Sequence, residues 1–228
     1  MWAERGQNNM EFEELQITPT PKEEKVLHAK YGHTSIKMVR GAGKLCCPKI
    51  MLIFMNPTAR NVSAGSEWKG IRAPWIGTKQ VWQMLARLGL VDKSFISKIC
   101  NLHPEEWNEE NALQLYKHIA DCNIYITNMA SCTQPDARSL PNTLFKEYLS
   151  IIFKEIEIIN PTKIITFGNQ VSSILLQKNI SVSNYSQKEF ETLNVKNKLF
   201  NIYPTYYPVG QGQRNMPKAI KRIRLLIR

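Results

Sequence analysis

Residues 50–57, Ile-Met-Leu-Ile-Phe-Met-Asn-Pro, carry the strongest structural signal in the chain. Five consecutive apolar residues lead up to and include Phe54, and Asn56 and Pro57 come shortly after them. A run that is apolar at every position predicts a strand buried on both faces, as in a parallel sheet. Asparagine and proline favour a turn directly after it. The stretch therefore predicts a central strand with a polar side chain near its carboxyl end.

Further strands and helices are predicted on both sides of this strand. Strand signals recur at 123–127, 163–167 and 199–203, and helical patterns occupy 142–159, 169–177 and 217–227. Another helix is predicted to begin at an N-cap on Thr78 and to end at Gly89. Strands that alternate with helices are typical of a three-layer α/β domain. We expect an α/β fold with a single domain and a central four-stranded, mainly parallel sheet.

The chain is predicted to form one main domain behind a short N-terminal region. Residues 1–30 have the pattern of a polar leader followed by a short helix, with Thr20 as its N-cap and Pro21 in its first turn. Residues 31–228 are expected to form the α/β domain, with a helical insert near 92–120.

The charge of the chain is strongly positive. Lysine and arginine number 30 against 19 acidic residues, a net charge of +11. Residues 1–24 contain six acidic and two basic side chains, so the remainder carries +15. A body this basic attracts polyanions, because phosphate contacts supply affinity that does not depend on sequence. Nucleic acid is therefore the expected partner.

The five cysteines form no Cys-x-x-Cys pair, and no run of 18 apolar residues occurs. The first nine residues lack the apolar run of a signal peptide. We expect a cytoplasmic protein with free thiols and no membrane association. The four histidines lack metal-ligand spacing, so no metal site is predicted.

Polar side chains follow the predicted strands at their carboxyl ends, where open α/β sheets place their sites. Asn56 follows the first strand, Asn128 the second, and a Pro-Thr-Tyr-Tyr-Pro segment at 204–208 the last. Amides and phenols supply neutral hydrogen bonds, which suit the edge of a nucleobase. Neither a Gly-x-x-x-x-Gly-Lys-Ser/Thr loop nor a Gly-x-Gly-x-x-Gly loop is present, which argues against a nucleotide-binding α/β protein.

Five segments in consistent order resemble the uracil-DNA glycosylase superfamily, with mixed features of its mismatch-specific and iron–sulfur branches. They are Phe-Met-Asn-Pro at 54–57, Ala-Pro-Trp-Ile-Gly-Thr at 73–78, Ile-Tyr-Ile-Thr-Asn through Arg at 124–138, Asn-Pro-Thr-Lys-Ile-Ile-Thr-Phe-Gly at 160–168, and Tyr-Pro-Thr at 203–205. The resemblance spans roughly residues 36–225. It implies a glycosylase that flips a base out of DNA and hydrolyses its N-glycosidic bond.

The resemblance also implies a role for each strand-end residue. Asn56 is expected to hold the attacking water, and Tyr203 to donate a hydrogen bond to the pyrimidine O2; these two are the predicted catalytic residues. Asn128 is expected to read the base edge, Trp75 to stack beneath the flipped base, and Met55 to contribute to base binding.

Contacts to the DNA backbone are assigned to the loops that flank this site. The predicted DNA-binding residues are Arg60, Thr205, Gly210, Gln211, Gln213 and Arg214. Duplex and single-stranded DNA both remain open, and a monomer is expected.

The chain departs from the iron–sulfur branch, which the resemblance implies would need four cluster cysteines. Only Cys132 falls on one of those positions, the N-terminal pair is absent, and Phe145 occupies the last position. We expect no iron–sulfur centre and no other cofactor.

Three interpretations of the function are compatible with the sequence. One class is uracil or another deaminated base, as in repair, and another is the hypermodified cytosine of phage DNA, as in anti-phage defence. A non-catalytic module that only binds DNA or a flipped base is a third interpretation. No lysine stands at a mapped catalytic position, so a monofunctional enzyme is the leading hypothesis.

Overall fold

A six-stranded sheet forms the centre of the protein, with helices on both of its faces. The computed structural model describes residues 21–227 without the side chains of Pro21 and Gln211, so the leader predicted for 1–20 and the Thr20 cap lie outside it. The strands are β1 (Ala42–Gly43), β2 (Ile50–Phe54), β3 (Ile124–Asn128), β4 (Lys163–Phe167), β5 (Glu191–Val195) and β6 (Lys198–Thr205). The helices are α1 (Pro21–Tyr31), α2 (Gln80–Arg87), α3 (Lys93–Cys100), α4 (Glu109–Asp121), α5 (Asn142–Glu147), α6 (Leu149–Ile159), α7 (Asn169–Leu175) and α8 (Met216–Ile227).

The strand order is β1-β3-β2-β4-β6-β5. The four central strands are mutually parallel, and the two edge strands, β1 and β5, pair antiparallel. The prediction of an α/β domain with a mainly parallel sheet is confirmed, and the prediction of four strands is wrong, because both edges were missed. β1 has only two residues, and β5 lacks an apolar run. β5 is joined to β6 by Lys196 and Asn197, which have φ of 45° and 67°, and no glycine marks this tight turn.

Each face of the sheet supports its own hydrophobic core. Alternate residues of β2 point to opposite faces: Leu52 and Phe54 enter the first core, and Met51 and Ile53 the second. Helices α2, α3, α4 and α8 cover the first core, and α5, α6 and α7 the second. Burial on both faces explains why β2 is apolar at every position.

Two helix boundaries differ from the sequence prediction. The helix predicted over 142–159 is divided into α5 and α6 at Tyr148, whose N–H bonds to the carbonyl of Phe145 at 3.1 Å, three residues back. Thr78 does not cap α2, which begins at Gln80 after Lys79. The segment near 92–120 contains α3 and α4, which pack on the first core. None of the helices within 21–227 has the length and apolar character needed to cross a bilayer.

A buried polar cluster lies on the second face. Glu155 of α6 is 3 % exposed and accepts a hydrogen bond from the Tyr125 hydroxyl at 2.6 Å. Glu24 of α1, also 3 % exposed, pairs with Arg40 at 2.9 Å. Desolvation, with a further contribution from the nearby charge of Glu24, raises the pKa of Glu155 to about 7. Glu155 therefore changes protonation near neutral pH.

Glu155→Gln is expected to stabilise the protein at about pH 8 and to change little at about pH 5. The pKa of Glu155 is higher in the folded state than in the unfolded chain. The free energy of unfolding therefore falls as pH rises from the pKa of the unfolded state through the pKa of the folded state. Glutamine removes that penalty, which is about 3 kcal/mol above the folded pKa of Glu155. Urea unfolding at the two pH values measures it.

Glu157→Gln is the matched control for this change. Glu157 lies on the same helix and pairs with Lys196 at the surface at 2.9 Å, so its replacement should have a small effect at both pH values. Equal destabilisation by Glu155→Gln at both pH values would contradict the account.

Candidate active site

The carboxyl ends of the central strands place four residues in one row. Phe54 is the register partner of Asn128 on β3, and it lies level with Phe167 on β4, since Ile53 pairs with Thr166. Register partners on parallel strands project to the same face. Thr205 of β6 continues the row as the partner of Phe167. We refer to Asn128, Phe54, Phe167 and Thr205 as the strand-end row.

The ring of Phe54 organises the aromatic side chains around this row. It stacks on Phe167 with centroids 4.2 Å apart and an interplanar angle of 17°. Trp75 meets it edge-on at 4.8 Å and Tyr207 at 6.3 Å. Aromatic pairs favour these offset and edge-to-face arrangements. Trp75 and Tyr207 arrive from separate loops, so Phe54 fixes both beside the strand-end row.

The loop that carries Trp75 is tightly held. Trp75 has a φ of 67°, an unfavourable conformation for a bulky residue. Its carbonyl oxygen accepts hydrogen bonds from Thr78 N at 3.0 Å, Thr78 Oγ1 at 2.9 Å and Trp82 Nε1 at 3.0 Å. Thr78, predicted as a helix cap, therefore secures Trp75 instead. The indole nitrogen of Trp75 is buried and has no hydrogen-bond partner among residues 21–227.

Asn128 is buried at the end of β3, with 4 % of its surface exposed. Its Oδ1 has no hydrogen-bond partner within the described chain. The backbone around it is fixed, because Met129 N donates to Phe54 O at 2.7 Å and Ala130 N donates to Met55 O at 3.1 Å. The backbone at Asn128 is thus fixed, and its amide is a buried polar group beside Phe54.

Asn56 lies two residues beyond Phe54, in the segment that follows β2. This segment runs alongside the segment that follows β3. Its Nδ2 donates to the carbonyl of Pro57 at 3.0 Å, which directs the amide, while its Oδ1 accepts no hydrogen bond from the described residues. The side chain is partly buried. Met55, between Phe54 and Asn56, is also partly buried and packs against the second core.

Tyr203 does not stand at a strand end. It lies within β6, opposite Ile165, is 8 % exposed, and its ring is 5.7 Å from that of Phe190. The aromatic residue beyond the end of β6 is Tyr207, which packs near Gly168 and Phe54. Burial raises the pKa of Tyr207 to about 12, so its hydroxyl is protonated at neutral pH.

Sequence reasoning noted Tyr207 but assigned it no role. The contact that marks it, a close approach of Gly212 to its backbone, is visible only in the folded chain. A Cβ on Gly212 would collide with the carbonyl oxygen of Tyr207, so the chain must return closely over this residue.

The predicted DNA-binding residues fall into two groups. Arg60, Gly210, Gln213 and Arg214 are exposed in the loops that follow β2 and β6. Thr205 is fully buried in the strand-end row, and its hydroxyl donates to the carbonyl of Tyr203 at 3.2 Å. The side chain of Gln211 lies outside the described part of the structure.

Two clefts are found away from this site. One, of about 310 Å³, lies at the opposite end of the sheet beside Cys47, Asn160 and Lys198. Another, of about 870 Å³, is formed mainly by α5, α7 and the segment after α7. Neither is lined by Asn56, Trp75, Asn128 or Tyr207. The candidate site is therefore defined by its side chains and not by these two clefts.

The cysteines do not assemble a metal centre in the described part of the chain. No group of three or more histidine, cysteine or acidic side chains within 21–227 is placed to hold an ion. Cys132 is buried, which raises the pKa of its thiol to about 11 and disfavours the thiolate form that metals bind. These residues do not fit an iron–sulfur cluster.

Comparison with known proteins identifies the family. Residues 41–225 match the uracil DNA glycosylase superfamily, which covers most of the chain. The protein therefore belongs to that superfamily, whose members are mostly DNA glycosylases. The resemblance seen in the five sequence segments is confirmed. A comparison with curated proteins gives no match to this chain.

The purified protein is expected to be colourless and free of iron. The physical reason is the dispersal of its described cysteines and the burial of Cys132. Metal analysis by mass spectrometry and the visible absorption spectrum measure this. Stoichiometric iron with a broad band near about 400 nm would contradict the cysteine argument.

Proposed function

We propose that this protein is a monofunctional DNA glycosylase that flips uracil or a related modified pyrimidine out of DNA and hydrolyses its N-glycosidic bond. The main supporting observation is that Asn128 and Trp75 both adjoin Phe54 at the carboxyl ends of the central strands, and that Asn56 follows Phe54 by two residues. The family membership supports the DNA substrate and the glycosylase class. The base itself is inferred from the chemistry of the site.

Hydrolysis requires a positioned water molecule at the sugar C1′. Breaking the C1′–N bond creates an oxocarbenium-like sugar while negative charge builds on the departing base. Asn56 can accept a hydrogen bond from this water through its Oδ1, which is unoccupied by other described residues. An amide cannot take up the proton as a carboxylate would, so Asn56 positions the water without acting as a strong base.

Recognition of the base is assigned to the strand-end row and its aromatic neighbours. Asn128 presents a buried amide, which supplies one donor and one acceptor to a base edge. Trp75 supplies an aromatic face on which the base can stack. Tyr203 remains the family-based candidate for a hydrogen bond to the base, and Tyr207 is a second tyrosine whose position beyond β6 suits that role.

Binding to DNA is supported by the charge of the body and the exposed residues around the site. The chain beyond residue 24 carries +15, and Arg60 and Arg214 are exposed in loops at the carboxyl side of the sheet. Lys218 and Lys221 are exposed at the start and middle of α8. Such side chains contact phosphates and make affinity depend on salt.

The lack of lysine in the segments directly after the central strands supports hydrolysis rather than a covalent route. The segments that follow the four central strands, 55–61, 129–138, 168–175 and 206–217, contain no lysine. A bifunctional glycosylase needs an amine to form a Schiff base with the sugar. Water is therefore the proposed nucleophile, and an abasic site is the proposed product.

The proposal is tested by treating oligonucleotides that carry a panel of modified bases with the protein and then with alkali, which cleaves abasic sites. Duplex and single-stranded forms of uracil, other deaminated bases and 5-substituted cytosines make up the panel. Release of a pyrimidine without strand cleavage before alkali supports the proposal. Release of none of the panel, at enzyme concentrations that saturate DNA binding, contradicts it.

Asn56→Ala is expected to abolish most base release while leaving DNA affinity nearly unchanged, because its role is to position water. Single-turnover rates should fall at least tenfold, which is about 1.4 kcal/mol of barrier. Asn179→Ala is the matched control, since Asn179 is exposed and distant from the strand-end row. A smaller loss than tenfold would show that the role is misassigned.

Asn128→Asp is expected to shift preference toward cytosine-type bases by about 1–3 kcal/mol, the scale of one good base-edge contact. Aspartate removes the amide donor and leaves acceptors for the cytosine amino group. Burial of position 128 raises the pKa of the new carboxyl, so the shift should grow as pH increases. The ratio of single-turnover rates on matched uracil and cytosine substrates measures it, and an unchanged ratio at all pH values would remove Asn128 as the specificity element.

A further inference from the structure

Four tryptophans lie within residues 21–227, and their indole N–H groups have different surroundings. Trp68 donates to the carbonyl of Ile71 at 2.8 Å, and Trp82 donates to the carbonyl of Trp75 at 3.0 Å. The N–H groups of Trp75 and Trp107 are buried without an acceptor among the described residues. Buried donors are almost always paired, because an unpaired one loses its hydration without compensation. Each of these two groups therefore needs an explanation.

The two unpaired tryptophans differ in position. Trp107 follows the short 3-10 helix Pro104–Glu106, within the 92–120 segment, and is 7 % exposed. Trp75 packs against Phe54 in the candidate active site. An unpaired donor in a helical insert costs stability only, whereas one in a base-binding site can be satisfied by substrate.

The backbone carbonyl of Trp75 is hydrogen-bonded, whereas its indole N–H is left unpaired among the described residues. The strained backbone of Trp75 is held by three hydrogen bonds to its carbonyl oxygen. A second unpaired polar atom, Asn128 Oδ1, lies at the register partner of Phe54. The site thus offers one buried donor and one buried acceptor on residues that both adjoin Phe54. A pyrimidine with a ring N–H and carbonyl oxygens has the complementary groups.

We propose that Trp75 Nε1–H donates a hydrogen bond to a carbonyl oxygen of the flipped pyrimidine and stabilises the negative charge that builds there as the base leaves. This inference rests on the proposed function and replaces the stacking role given to Trp75 there, because the N–H of an indole stacked on the base would lie parallel to the base plane and could not point at its carbonyl oxygens. It also supplies a donor at the strand ends, where Tyr203 does not stand, because Tyr203 lies within β6 against Phe190.

The reaction in which this donor acts is a hydrolysis of the N-glycosidic bond. The C1′–N1 bond breaks, its electron pair stays on the base and is delocalised onto the carbonyl oxygens, and the sugar becomes an oxocarbenium ion. Water then adds at C1′ and releases a proton, and the base anion is protonated from solvent. A neutral N–H donor in a buried site strengthens its hydrogen bond as the oxygen becomes charged. The donor therefore stabilises the transition state more than the bound substrate.

The experiment uses Trp75→Phe, which keeps an aromatic ring and removes the donor together with part of the bulk of the indole. Single-turnover release of uracil is expected to fall about tenfold or more. Release of 5-fluorouracil should fall less, because the fluorine already stabilises the departing anion, so the 5-fluorouracil to uracil rate ratio should rise. Trp107→Phe is the matched control, since it removes the other unpaired N–H, and it should change neither rate.

A second measurement follows the indole proton of Trp75 directly. Its resonance in the nitrogen–proton spectrum is assigned as the signal missing from Trp75→Phe. The probe is an oligonucleotide with 2′-fluoro-2′-deoxyuridine, whose fluorine opposes oxocarbenium formation and blocks cleavage. Binding should move the Trp75 proton downfield, as a new hydrogen bond does, and leave the Trp107 proton in place.

The outcomes separate this inference from the proposed function. Unchanged rates in Trp75→Phe, an equal loss on both bases, or an unmoved Trp75 resonance would each overturn the role of the donor. A wild-type protein that releases no base from the whole panel would overturn the proposed function, and the indole resonance would then decide on the hydrogen bond alone. A raised rate ratio together with a downfield shift supports the inference.

Discussion

The parallel register of β2 between β3 and β4 is the constraint on which the rest of the structure depends. It places Phe54 level with Asn128 on one side and with Phe167 on the other. All five residues of β2 are buried, so a slip of one residue would turn its apolar side chains to the wrong core. Because Phe54 then holds both Trp75 and Tyr207, the positions of two loops follow from the register of one strand.

Much of the fold was predictable because the central strands are apolar at consecutive positions and the helices between them have clear periodicity. The edges were not predictable in this way. β1 is held by two residues, and the hairpin of β5 turns on Lys196 and Asn197 without the usual glycine. Short or alternating edge strands carry little sequence signal, because their stability comes from the neighbour to which they pair.

The site was predictable only where a residue follows a recognisable strand. Asn56 and Asn128 were predicted in this way, and they lie at or just beyond the carboxyl ends of β2 and β3. The end of β6 was misjudged by two residues, so Tyr203 was placed at a strand end where the structure has Tyr207 beyond it. The pairing of the Trp75 indole depends on which distant groups surround it, and no local pattern reports that. The sequence therefore predicted which side chains follow the strands, while the unpaired polar atoms among them are visible only in the folded chain.

The most direct measurement of the central claim is a crystal structure of Asn56→Ala bound to a duplex that contains the base released fastest by the wild-type protein. The account predicts that the base lies outside the helix, at the carboxyl ends of β2 and β3, with its edge within hydrogen-bond distance of Asn128 and its ring beside Trp75. A base that remains stacked in the duplex, or one bound in either of the two clefts remote from Phe54, would contradict it.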